Sequence, residues 1–191
     1  MKKYGDEGFI RMLQEGQEHA RNTDIQKGSV LVGEQELLFQ ELEIFKNQMW
    51  MWIPQNFTLL GKEFIKMKYP SENRPDLIYS NPETTVNVCF LLKQEKLAAG
   101  QEVQVRDYMG HIVHNLYPGC GILDKDCVKA GENEAAWMDF LAPAMDSYVY
   151  NMMYITSFKG RLLMGTCNCP ESDKEDWKDL FVQMIATIRT A

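Results

Sequence analysis

The chain carries three histidines, and two of them stand where imidazoles can work together. Asp107, His111 and His114 occupy i, i+4 and i+7 of a segment with helical periodicity. At about 100° per residue they fall within an arc of about 60°. Two neutral imidazoles and a carboxylate on one helix face suit zinc or a heavier transition metal. The same three residues also make an ordinary solvated face. The general-base glutamate of the H-E-x-x-H helix is missing, and the histidines are three positions apart, not four.

Nucleophilic chemistry has less to build on. Cys120 follows His114 closely, but no nucleophile-elbow pattern surrounds it. The other cysteines are Cys89, Cys127, Cys167 and Cys169. Their odd total, with no secretory leader ahead of the domain, predicts five reduced thiols in a cytoplasmic setting. Cys120 and Cys127 have six residues between them, and Cys167 and Cys169 have one, so neither pair has zinc-site spacing. The 13 glycines form neither G-x-G-x-x-G nor G-x-x-x-x-G-K-[ST], so no phosphate cradle is expected. No cofactor is expected, and no catalytic residue is assigned.

Two segments could meet a partner instead. Ser71, Glu72, Asn73 and Arg74 lie between Pro70 and Pro75, which stiffen the backbone. A rigid polar loop presents fixed donors and acceptors, or it simply connects two elements. The run Met49-Trp50-Met51-Trp52 reads either as an adaptable binding surface or as core.

These residues are carried by a simple order of elements. Residues 5–21 have a weak helical pattern with Phe9, Ile10, Met12 and Leu13, followed by a connector. Strands are predicted at Ser29–Val32, Leu37–Phe45 and Met49–Ile53, two helical turns at 61–67, and strands at Leu77–Ser80 and Thr85–Leu92. A strong helix spans 102–117, with Val105, Met109, Ile112 and Leu116 as its buried stripe. Strands follow at Gly121–Val128, Ala135–Leu141, Tyr148–Phe158 and Arg161–Cys169. The last pair is joined by Lys159-Gly160, a two-residue hairpin signal. The final helix, 172–189, opens on Ser172-Asp173-Lys174-Glu175, a capping box, and buries Trp177, Phe181, Met184 and Ile188. Its Arg189 lies near the negative end of the helix dipole.

Short turns between strands predict an antiparallel sheet. Strands apolar on both faces, such as Met49–Ile53 and Tyr148–Phe158, require cover on both sides. The expected class is α+β: an antiparallel sheet with helices packed on both faces, a three-layer sandwich. Residues 1–26 form an N-terminal helix and connector, and 27–191 form a single domain. At 191 residues, with a 45% apolar and 25% charged composition, the chain matches one globular domain. The 20 Lys and Arg against 27 Asp and Glu give a net charge of -7, which disfavours nucleic acid as a partner. No apolar run reaches about 18 residues, so no membrane-spanning helix is expected.

The phrases Met51-Trp52-Ile53-Pro54-Gln55-Asn56-Phe57 and Lys68-Tyr69-Pro70-Ser71-Glu72-Asn73-Arg74-Pro75 resemble those of a group of bacterial proteins of the Mog/PsbP-like superfamily. Tyr150-Asn151-Met152-Met153 and Gly165-Thr166-Cys167-Asn168-Cys169-Pro170 carry the same resemblance. That superfamily joins the Ran-binding Mog proteins, the photosystem subunit PsbP and the lipoprotein DcrB. The resemblance covers about residues 35–190. It implies an antiparallel sheet flanked by helices, and a binding rather than a catalytic role. The expectation is therefore a non-catalytic binding or accessory module with a protein partner. The alternatives are a small metal-dependent enzyme using Asp107, His111 and His114, and an inhibitor or chaperone of a secreted partner.

Overall fold

The computed structural model describes residues 22–68, 74–144 and 146–191. The expected helix at 5–21 lies outside them, as do Ser71, Glu72 and Asn73.

The fold is α+β, built from antiparallel sheets and a few helices. Strands β1 (Val30–Val32) and β2 (Gln35–Leu37) make a small hairpin. Strands β3 (Phe39–Phe45) and β4 (Met49–Pro54) pair across a turn in which Asn47 takes φ 53°. With β12 (Arg189–Thr190) they form a sheet of three strands. The main sheet has seven strands in the order β5-β6-β7-β11-β10-β9-β8. These are β5 (Thr58–Leu59), β6 (Leu77–Ser80), β7 (Asn87–Lys96), β8 (Ile122–Ala130), β9 (Asn133–Pro143), β10 (Tyr148–Phe158) and β11 (Arg161–Pro170). The helices are α1 (Lys62–Lys68), α2 (Glu102–Leu116) and α3 (Lys174–Ala186).

Local chemistry explains the register. Lys159 and Gly160 both take positive φ, 50° and 75°, as a tight two-residue hairpin requires, and β10 and β11 pair along their whole length. Tyr154 faces Gly165 across that pair, and its ring lies where a side chain at 165 would begin. A Cβ there would sit 2.0 Å from the tyrosine Cζ, so only glycine fits. Strand β8 is one edge of the sheet, and its largely exposed Leu123-Asp124-Lys125-Asp126 run carries the charges that discourage edge-to-edge association.

The largest apolar core lies between one face of the seven-strand sheet, α3 and the three-strand sheet. It holds Met49, Met51, Phe90, Tyr150, Tyr154, Trp177, Phe181 and Met184. The stripe expected on the last helix is all buried there, with Phe181 and Met184 fully so. The opposite sheet face holds two smaller clusters. Val113 of α2 packs with Met138 and Phe140, and Ile65 of α1 with Ile78 and Cys89.

Three expectations need correction. Met49, Met51 and Ile53 are core, but Trp50 and Trp52 are only half-buried, with the Arg189 guanidinium 4.2 Å above the Trp50 ring. The expected capping box does not form. Residues Glu171–Asp173 make a 3-10 turn, the Ser172 hydroxyl donates to Asp173 Oδ1, and the helix starts two residues later, at Lys174. Arg189 is not at a helix end. It lies on β12 and forms a two-pronged ion pair with Glu41, at 2.6 and 2.7 Å.

Candidate functional site

Helix α2 crosses β9 and β10, and its setting differs from what apolarity alone dictates. The side chains most deeply buried are Glu102, Arg106 and Val113, not the stripe of Val105, Met109, Ile112 and Leu116. Specific partners draw the two charged residues inward. Glu102 Oε2 accepts the Gly100 N–H at 2.8 Å. The Arg106 guanidinium donates to Asp107 Oδ1 and to the Asp126 carbonyl. A buried charge is tolerated only with such partners. The helix is rotated accordingly, and its apolar stripe faces sideways. Val105, Met109 and Ile112 are half-buried, and Leu116 is 66% exposed.

Two grooves of similar size flank the helix. One, of about 620 Å³, lies between α2 and β8. It gathers Asp107, His111, His114, Cys120 and Lys125. The structure thus brings the three residues singled out as metal ligands to a single groove. Their electrostatics are those of an ion-pair cluster. Asp107 Oδ1 is 2.9 Å from Arg106 and 3.1 Å from Lys125. Partial burial opposes ionisation of Asp107, but these two cations outweigh it and hold its carboxyl below the usual range. Both histidines are exposed. Among the described residues, no group of three or more His, Cys, Asp or Glu is placed to hold a metal ion. Cys120 is buried, its thiol donates to the Leu141 carbonyl, and burial pushes its pKa up. A protonated thiol is a weak nucleophile.

The second groove, of about 610 Å³, lies on the other flank of α2 over β7, β10 and β11. Met109, Ile112 and Leu116 form one wall, and Met153, Met164 and Leu91 the other. It is the more apolar of the two by residue type. Among the described members of the polar loop, Arg74 is half-buried, and its neighbour Pro75 is among the residues lining this groove.

A polar constellation on the opposite sheet face escaped the sequence reading. Asp139 is fully buried within β9. Its Oδ2 accepts from the Tyr150 hydroxyl at 2.7 Å and lies 3.1 Å from Lys178 Nζ. Lys178 also reaches Asp124 at 2.9 Å and sits over the Trp137 ring. Burial lowers the Lys178 pKa, but the hydrogen bonds to Asp124 and Asp139 outweigh it, so the ammonium is favoured. Burial, reinforced by Asp139, drives the Tyr150 hydroxyl far above its ordinary value. The one signal in the sequence is an aspartate inside an apolar strand, Trp137-Met138-Asp139-Phe140. This network ties α3 to the sheet.

None of the five cysteines is in a disulfide; four are buried and Cys127 partly so. Burial also raises the pKa of Cys127, Cys167 and Cys169, the last to about 12.

No family model matches the chain, and no curated protein matches its sequence. Solved structures do match its fold. PsbP (CyanoP) from Synechocystis sp. PCC 6803 superposes with a TM-score of 0.58 at 12% identity, over 80% of this chain and 92% of that one. LpqN of Mycobacterium tuberculosis, described as involved in cell envelope biogenesis, gives a TM-score of 0.49 at 11% identity, over 84% and 94%. A protein from Pseudomonas aeruginosa described as a putative regulator gives 0.40 at 11%, over 78% and 94%. The fold is therefore PsbP-like, as the resemblance in the sequence implied. At this level of identity the likeness concerns the fold alone. Among the described residues, no helix is long and apolar enough to cross a membrane.

Proposed function

We propose that this chain is a non-catalytic binding module that engages a protein partner through the apolar flank of α2. The observation that carries this reading is the position of the stripe. Met109, Ile112 and Leu116 line an open groove of about 610 Å³ with two further methionines; Met109 and Met153 also pack against the Val113 cluster, while Leu116 is 66% exposed. Methionines suit an adaptable contact surface. Departures from the local burial rule of this kind concentrate at functional sites. A net charge of -7 supports a partner other than nucleic acid. Five free thiols support residence in the reducing cytoplasm. The architecture is best understood as three layers: α1 and α2, the seven-strand sheet, and α3 with the three-strand sheet.

The test is site-specific photo-crosslinking in the native cell. A crosslinker at Leu116 should capture a discrete protein, and one at Leu59, an exposed control on the far edge strand, should not. Equal capture at both positions, or none at Leu116, would count against the reading.

A second reading rests on the other groove, whose lining includes Asp107, His111 and His114. A metal there would have to displace Arg106 and Lys125 from Asp107. Zinc in excess would then raise the melting temperature of the wild type and not of a His111→Gln/His114→Gln variant, and the rise would vanish below about pH 6. The binding-module reading predicts no such difference.

A further inference from the structure

A row of uncharged polar side chains runs across four neighbouring strands of the main sheet, near one end of those strands. Ser80 on β6, Asn87 on β7, Asn168 on β11 and Asn151 on β10 are direct cross-strand neighbours. Central strands usually place apolar or β-branched residues at such positions. Three of the four are buried: Ser80 at 0%, Asn87 at 2% and Asn168 at 8% exposure.

The hydrogen bonds along the row run in one direction. The Ser80 hydroxyl lies 2.8 Å from Asn87 Oδ1, to which it can donate. Asn87 Nδ2 donates to Asn168 Oδ1, also at 2.8 Å. This fixes the Asn168 amide with its oxygen inward and its NH2 group facing away from Asn87. Asn151 turns its own Nδ2 to the Val149 carbonyl and accepts nothing from Asn168. Among the described residues, Asn168 Nδ2 has no acceptor. A side chain more than nine-tenths buried thus holds out a donor with two protons.

That donor opens on a cavity of about 410 Å³ at the end of the sheet. Its polar lining is side-chain amides and hydroxyls, from Asn168, Asn151, Thr85 and Ser147. Tyr148, half exposed, and Pro170 supply flat apolar surface. None of the described lining residues is charged. A wall of this kind has no counter-charge for a phosphate, a carboxylate or an ammonium. It matches a ligand that both donates and accepts, carries no charge and has an apolar face. A sugar ring has all three properties: vicinal hydroxyls, neutrality and a C–H face that packs on an aromatic ring. The volume lies within the range of small-molecule sites and accommodates one or two rings.

We infer that the cavity at the Asn87–Asn168–Asn151 row is a binding site for a neutral saccharide, whose ring oxygen or hydroxyl accepts from Asn168 Nδ2. This site is separate from the α2 groove, and its fate does not depend on the protein partner proposed there.

The experiment is a titration of the ¹⁵N-labelled full chain, followed through side-chain and backbone amides. The probes are N-acetylglucosamine, methyl glucoside and, as an amide control without a sugar ring, N-methylacetamide. At least one sugar should saturate shifts at the Asn168 and Asn151 side-chain amides, with a Kd of about 1–10 mM. N-methylacetamide should not saturate them. The exposed Tyr148 is the safer site to alter, and Tyr148→Ala should weaken sugar binding about tenfold with the remaining spectrum unchanged. The inference is overturned if neither sugar saturates the shifts, if N-methylacetamide does so, or if Tyr148→Ala binds as well as wild type.

Discussion

Helices α2 and α3 have similar lengths and both carry a regular apolar stripe, yet they use it in opposite ways. In α3, Trp177, Phe181 and Met184 lie beneath the helix and fill the main core, with the Phe181 ring stacked against Tyr150 and Trp177. In α2 the comparable stripe lies beside the helix, and two charged residues occupy the buried row. A hydrophobic stripe states how much apolar surface a helix has. Where that surface points is decided by the partners available to its polar neighbours. For α2 those partners are the Gly100 amide and the Asp126 carbonyl, both outside the helix.

This contrast is open to direct attack. The largest effect is expected at the centre of the α3 contact: Phe181→Ala should cost about 3–5 kcal/mol in denaturant unfolding. A loss under about 1 kcal/mol would mean the stripe is not core. Next comes the charge that anchors the same helix. Asp139→Ala leaves Lys178 and the Tyr150 hydroxyl short of a buried acceptor and should cost about 2–3 kcal/mol. Equal stability would show that the network is incidental.

The third effect is steric. Gly165→Ala drives a Cβ into the Tyr154 ring and should cost about 1–3 kcal/mol. Restoration by a Tyr154→Leu change in the same chain would confirm the cause. The smallest effect belongs to the other helix. Leu116→Ala should change stability by less than about 0.5 kcal/mol, because the side chain is mostly in water already.

Acid should weaken both regions. The carboxyls of Asp107 on α2 and of Asp124 on β8 beside α3 are held below their ordinary values by their cationic partners. A depressed folded pKa gives stability that is present above the unfolded value, near 4, and lost as pH falls through the folded value. Asp124→Asn should therefore flatten the acid limb of the stability curve. An unchanged acid limb would show that its pair with Lys178 contributes nothing. Lys178 has the converse sign: its contribution is present below about pH 10 and lost as pH rises through its raised folded value.

The contrast also explains how far the sequence could be read. Strands β10 and β11 were legible because alternation and Lys159-Gly160 are local signals, and the structure pairs them residue by residue. The α3 stripe was legible because no polar residue competes for its inner face. The start of α3 was not, because residues 171–173 close into a 3-10 turn that makes Asp173, not Ser172, the residue before the helix. The rotation of α2 was illegible because Asp126 lies on a strand 20 residues away in sequence. Asn151 is a polar residue within an apolar strand, which the sequence alone shows. Its neighbours in the row, Asn168 and Asn87, become neighbours only through strand order, and Asn168 is 81 positions from Asn87. The grouping of Asp107, His111 and His114 was legible from helical spacing. The arrival of Lys125 from β8 to neutralise Asp107 was not.

The central claim, that the side of α2 is a contact surface and not an incompletely packed core, meets its most direct test in Leu116→Glu. The variant should unfold at the wild-type denaturant midpoint and lose the protein that wild type retains from native cell extract. Retention of the same protein at the same level, or a midpoint lowered as far as that of Phe181→Ala, would contradict it.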